Sequence, residues 1–387
     1  MAVGFPTKAN WAAGDVLTAS AQDDLAGTVN LLSNASAVSG SQLVSNVAGT
    51  SFAYQATPSA SNPVLNSGFN VWQRSTSAAM GSAGAYTSAD RWATYAAPTL
   101  AVMSRQVTGD TTNLPNIQYC ARLTHTAGDT TTGTLNIGNS FETINSIPFA
   151  GKTVTLSFYA RAGATAVSSS QNVLVGRIQT GTGTDQNLES TGYTGAAIPV
   201  TTSSTLTTTW QRFTTSGTIA STATEMGVEF RWNTTATAGA TDYVEITGVQ
   251  IDIGSVALPF RTYAATYQGE LAACQRYYEK SYDITVAPGT SDQLGSIGFC
   301  VGTNSATATY FTYAPIFKVN KRSQPTVTLY DLVGNSGKVT KVSAVDLSLT
   351  DNQTATADRL GQTTFRIYAS LGTAGGFYGH YTASAEL

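Results

Sequence analysis

Residues 227–233 read GVEFRWN. Val228, Phe230 and Trp232 alternate with Glu229 and Arg231, the period of a strand with one dry face and one wet face. The rhythm repeats on either side. Val154, Leu156 and Phe158 alternate with Thr155, Ser157 and Tyr159, and Val249, Ile251 and Ile253 alternate with Gln250 and Asp252. Val244 and Ile246 share a parity that Val249 reverses, with Gly248 at the change. A β-bulge that resets the facing is expected there. Many short strands between Asn62 and Arg261 predict a two-sheet sandwich.

The whole chain has 387 residues, enough for two or three domains. Hydrophobic residues make up 42% and charged residues 11%, against roughly 25% charged in an average soluble domain. Low charge with abundant Thr, Val, Tyr and Gly predicts a mainly β protein. Lys+Arg number 20 and Asp+Glu 23, a formal net charge of -3, so a nucleic-acid-binding surface is not expected. His125, His380, Cys120, Cys274 and Cys300 are too few and too scattered for a His-rich metal site, a disulfide framework or a zinc ribbon. The thiols read as small buried side chains. No apolar run reaches the ~18–20 residues of a membrane span, so no membrane insertion is expected. The opening MAVGFPTKANWAAGD lacks the basic-then-apolar order of a secretory signal.

Residues 1–61 differ from the rest. Leu25, Val29 and Leu32 fall on one face of a short helix, with Thr18 or Ser20 as its cap and Asp23 and Asp24 near its positive end. One such helix is not stable alone and needs a second copy or a docking surface. A Ser-, Ala-, Asn- and Gly-rich linker follows. The sandwich then occupies 62–262, a short linking helix 263–281 and a smaller β domain 282–387. In YQGELAACQRYYEK (267–280), Leu271, Cys274 and Tyr277 or Tyr278 recur at helical spacing. Glu270 opens that stretch and Lys280 closes it, the order a helix dipole favours. Strand alternation returns around Val327 and Leu329, and around Phe365 and Ile367.

Several phrases resemble one known family. NPVLNSGFNVWQRSTS (62–77) and YTSADRWATY (86–95) resemble the opening of a jelly-roll module found in bacteriophage tail fibres and other virion fibre proteins. GKTVTLSFYARAG (151–163), TTTWQRFTTSGTI (207–219) and GVEFRWN resemble its inner strands. VQIDIGSVALPFRTYAATYQGELAACQRYYEKSY (249–282) is similar to its exit into a Cys-Gln-Arg-Tyr-Tyr linker, with Ile251-Asp252 in place of Leu-Glu and Leu258 in place of Thr. KRSQPTVTLYD (321–331) and GFYGHYTASAEL (376–387) resemble its C-terminal domain. The resemblance implies a carbohydrate-binding-type jelly roll and a phage virion structural protein made in the host cytoplasm. It implies a homotrimer, for which the Leu25, Val29 and Leu32 face read from spacing is the expected contact, attached to other virion proteins by its N-terminus and displayed on the virion exterior, on the tail. A host-surface glycan is the implied partner. A capsid decoration, head-fibre or tail-connector protein that touches no receptor is the alternative.

The chemistry-bearing residues support binding over turnover. There is no HExxH, GxSxG, P-loop or GxGxxG, and no repeat of the β-helix kind. No catalytic residue, metal or cofactor is expected. Glu142, Asp185, Glu189, Glu229, Asp242 and Glu245 are the pool from which a glycan hydrolase's carboxylate pair would come. Glu229, Glu245 and Asp252 fall on the wet parity and read as solvated sheet faces. His125 and His380 read as structural. Trp72 and Trp92 offer indole faces for a sugar, with core packing the plainer role. Tyr310, Tyr313, Phe377 and Tyr378 are the candidate receptor-binding residues, because tyrosine gives contact area and a hydrogen-bonding tip at low entropic loss. Sheet-face packing is their alternative. Lys318, Lys321 and Arg322 read as a solvated edge that keeps a strand from pairing. The expected function is adhesion, with weak sites strengthened by multivalency.

Overall fold

The computed structural model describes residues 41–45, 52–56, 62–81, 84–97, 100–300, 310–371 and 375–387. The chain divides into two units, Met1–Pro58 and Ser59–Leu387. In the first, β1 (Ser41–Ser45) and β2 (Phe52–Ala56) pair as an antiparallel hairpin. The expected helix with Leu25, Val29 and Leu32 lies outside the described residues.

The second unit opens with the sandwich. Its strands are β3 (Ser77–Ala79), β4 (Ala93–Ala97), β5 (Ala101–Val107), β6 (Tyr119–His125), β7 (Gly133–Ser140), β8 (Thr153–Ala162), β9 (Val173–Gly181), β10 (Ala197–Thr205), β11 (Gln211–Thr218), β12 (Glu225–Thr234) and β13 (Tyr243–Ile253). One sheet has the order β10-β9-β12-β7-β4 and the other β11-β8-β13-β6-β5-β3. All described pairings are antiparallel. The two sheets meet where Phe158 of β8 stands edge-on to Phe230 of β12, ring centroids 4.8 Å apart. Leu156, Val228, Trp232, Ile246 and Ile251 are buried around them. Each such side chain contributes about 1.5–3 kcal/mol of burial, so the period-two pattern selects the inner faces.

The bulge stands where the parity change places it. Gly248 has φ +58, and the β13–β8 register slips between Thr247 and Gln250. That extra residue turns both halves of β13 inward, with Val244, Ile246, Val249 and Ile251 all buried. The wet face is a correction. Glu229, Glu245 and Asp252 are buried, not solvated. Glu245 is held by Arg122 at 2.6 Å and Arg161 at 2.5 Å, Glu229 by Arg177, and Asp252 by Arg261 at 2.8 Å. Outside the six-stranded sheet, Leu114, Ile117, Cys120 and Trp210 form a second small core, which shuts water away from that face.

The linking helix spans Tyr267–Gln275. Thr266 caps it, its hydroxyl accepting the Gly269 N–H at 3.2 Å. It stops five residues before Lys280, against the sequence expectation, because Tyr278–Lys280 is recruited as a strand, β14, pairing with the chain's last strand. The remaining strands are β15 (Ile297–Cys300), β16 (Tyr310–Tyr313), β17 (Thr326–Tyr330), β18 (Lys338–Val342), β19 (Leu349–Asp358), β20 (Arg366–Ser370) and β21 (Gly376–Ser384). They form one network, β14-β21-β18-β19-β20-β16, with β15 and β17 also on β21. The first half of β21 pairs with β15 and β18, the second half with β14 and β17. One core of Phe317, Leu329, Ile367, Phe377, Tyr381 and neighbours fills the C-terminal domain. The protein is therefore mainly β, a jelly-roll-like sandwich followed by a smaller β domain.

Candidate functional site

The motifs that carry the family resemblance converge on the junction between the two β domains. The Arg91 guanidinium lies 3.6 Å from the Tyr277 ring centroid, and that of Arg74 lies 3.6 Å from Tyr278. Both arginines bind Glu386, Arg74 at 3.0 Å. Arg276 forks onto Glu142 at 2.8 and 2.9 Å, and the Tyr277 hydroxyl donates to the same carboxylate at 2.5 Å. Buried Lys321 pairs with buried Glu279 at 2.6 Å. Arg322 binds Asp185 at 2.8 Å and donates to the Ala385 and Glu386 carbonyls. Lys318 donates to the Lys280 carbonyl at 3.0 Å. Two of the basic trio are thus a correction: Lys321 and Arg322 are wedged in a seam that supplies carboxylates and carbonyls, while Lys318 stays exposed. The Trp-Gln-Arg, Ala-Asp-Arg-Trp and Gln-Arg-Tyr-Tyr phrases build this seam.

Beside the seam lies a cleft of about 790 Å³. Four segments wall it: the 70–76 loop, the paired ends of β5 and β6, the start of the linking helix, and Ile284 and Thr285 of the C-terminal domain. Arg105 pairs in register with Ala121 and so lies diagonal to Tyr119. Its guanidinium is 4.7 Å from the Tyr119 ring centroid. Tyr267, 48% exposed, stands at the helix start. Asn70, Asn116 and Gln118 add side-chain amides. Glu270 also lines the cleft, but it is buried and accepts the N–H groups of Asn66 at 2.5 Å and Ala264 at 3.1 Å. Burial pushes its carboxyl above the usual carboxylate range. Aromatic faces with amide and hydroxyl donors and acceptors are the chemistry that grips a sugar ring.

The residues singled out in the sequence fall differently. Trp92 is fully buried and stacks on Phe69 at 4.9 Å. Trp72 is core as well, its indole N–H donating to the Phe69 carbonyl at 2.6 Å, while it also lines the cleft. Phe377 is fully buried in the C-terminal core and leaves the candidate receptor surface. Tyr313 packs against that core and lines a groove with Arg359 and Arg366. Tyr310 is in β16, and nothing of its side chain is among the described features. Tyr378 is 36% exposed. Three strands separate β16 from β21 in the sheet order, so these four residues are not gathered along the sheet.

The acidic pool is mostly committed to structure. Glu142, Asp185, Glu229 and Glu245 hold arginines, and Asp242 accepts from Gln171 at 3.2 Å. Glu189 is the exception. Its carboxyl lies over Gly138, where a methyl group would meet Oε1 at 2.5 Å. Gly138 is the register partner of Glu229. Burial and the neighbouring Glu229 push Glu189 up to about 8. His380 stacks on Tyr282 at 3.8 Å between Ser281 and the Asp292 carbonyl, and burial lowers its pKa. Among the described residues no group of three His, Cys, Asp or Glu side chains is placed to hold a metal. No described helix is long and apolar enough to cross a membrane.

Sequence reasoning missed Arg105, Tyr119 and Tyr267. The only local hint is the run Asn116-Ile117-Gln118-Tyr119, amides beside an aromatic.

No family model and no curated protein matches the sequence. Among solved structures, the chain is similar to the CBM22-1 xylan-binding domain of Paenibacillus barcinonensis Xyn10C (12% identity, TM-score 0.28, 48% of this chain and 99% of that one). It is also similar to a cyclase from Fischerella sp. (11%, 0.34, 51% and 97%). A third is the enzymatically active domain of tailspike protein 4 of bacteriophage CBA120 (11%, 0.27, 42% and 19%). Likenesses this weak carry no argument about ligand or activity.

Proposed function

We propose that this chain is a phage virion protein, a tail fibre that attaches to a host-surface glycan without cleaving it. The observation that carries the reading is the cleft, where exposed Tyr267, half-buried Tyr119, amides and hydroxyls suit a saccharide. The family-like phrases support the virion assignment, and the tied seam supports a rigid body that displays the cleft. Three copies joined through the Leu25, Val29 and Leu32 face would multiply a weak site into firm attachment. Intact-mass measurement checks the trimer, and a stable monomer refutes it.

The full chain is to be probed on a glycan array, with Tyr267→Ala alongside. Saccharide binding that falls about tenfold in the variant is expected, the loss of one aromatic contact of about 1.4 kcal/mol. An array without a single ligand, together with location on the capsid in imaged particles, favours the decoration reading instead. Glycan hydrolysis has one observation in its favour: Glu189, its carboxyl pushed up by burial, neighbours Glu229, which is paired with Arg177, and two carboxylates held in unlike surroundings are what acid–base chemistry needs. Shortening of a polysaccharide that Glu189→Gln abolishes would establish it.

A further inference from the structure

We propose that the cleft's ligand is a saccharide bearing an anionic group, and that Arg105 is the residue that selects it; the inference rests on the glycan-binding reading above. Most other arginines of the sandwich and seam are paired internally: Arg122 and Arg161 share Glu245, Arg177 holds Glu229, Arg261 Asp252 and Arg276 Glu142, while Arg212 donates to Ser157 and the Leu258 carbonyl. Among the described residues Arg105 pairs with no carboxylate and makes no side-chain hydrogen bond, its contact being the Tyr119 ring. It is half-buried, and its guanidinium is steadied over the Tyr119 ring. A preorganised fork of five donors on a concave wall matches a carboxylate or a phosphate bidentately. Partial exclusion of water strengthens that contact relative to the open surface. The cleft's carboxylate, Glu270, does not compete for it, being occupied by the Asn66 and Ala264 amides. The amides of Asn70, Asn116 and Gln118 remain for the hydroxyls of the same sugar.

The test is an array of matched neutral, uronate-bearing and phosphorylated oligosaccharides, probed with the full chain and with Arg105→Gln and Arg105→Lys. The wild-type chain is expected to bind an anionic member about tenfold more tightly than its neutral twin at low salt, an advantage that shrinks as ionic strength rises. The Gln variant loses the preference and the Lys variant keeps part of it, thermal unfolding serving as the check that both are folded. The uronate and phosphate arms tell which anion is read. Equal binding of neutral and anionic twins, or a preference that survives Arg105→Gln, overturns the inference and leaves the glycan reading standing. Failure of every saccharide to bind overturns both.

Discussion

At the residue scale, Glu189 makes a pH-dependent prediction. Its folded-state pKa is raised to about 8 by burial and by Glu229. The folded chain therefore keeps a proton that the unfolded chain has released above the ordinary carboxylate range. Its contribution is fully present in acid and is lost as pH rises toward 8. Glu189→Gln mimics the neutral acid, so the variant should be more stable than the parent at pH 8, by about 1–2 kcal/mol, and nearly equal at pH 4. Denaturant melts at the two pH values check this; equal gains at both would refute it. What was legible at this scale followed local rules. Val228, Phe230 and Trp232 announced their facing because a strand's period is two, and Gly248 announced the bulge because a parity change needs an extra residue. Glu229, Glu245 and Asp252 misled for the same reason. Parity tells which side of a sheet a residue takes, not whether another layer covers that side.

At the scale of single elements, β21 and the residues after it are the most demanding. The strand pairs with four others, and beyond it Glu386 joins two guanidinium groups that are otherwise shut in protein. Removing one partner of such a set leaves charge buried and unmatched. Glu386→Ala is expected to destabilise the chain by about 3–5 kcal/mol, read as a fall in the denaturant midpoint with an unchanged slope. A loss under about 1 kcal/mol would mean water reaches the seam. The linking helix teaches a related lesson. Leu271 and Cys274 predicted it correctly, but its end at Gln275 is set by β14 pairing with β21, a partner a hundred positions downstream that no local spacing reveals. The cleft was illegible for that reason too, since Asn70, Arg105, Tyr119 and Tyr267 are brought together only by the closed fold.

At the scale of the whole molecule, the seam makes one cooperative body of residues 62–387. A fragment beginning at residue 282 would lack β14 and leave Lys321 without Glu279, so it is expected to show no cooperative melt, whereas 62–387 shows a single calorimetric transition. Two well-separated transitions in the longer piece would contradict this. Because the contacts of Arg91, Arg74 and Lys321 are closed to solvent, dissolved ions have little to screen there. The two β bodies should hold the same mutual pose in brine as in dilute buffer, so an attachment that salt weakens would be letting go at the ligand and not at the joint.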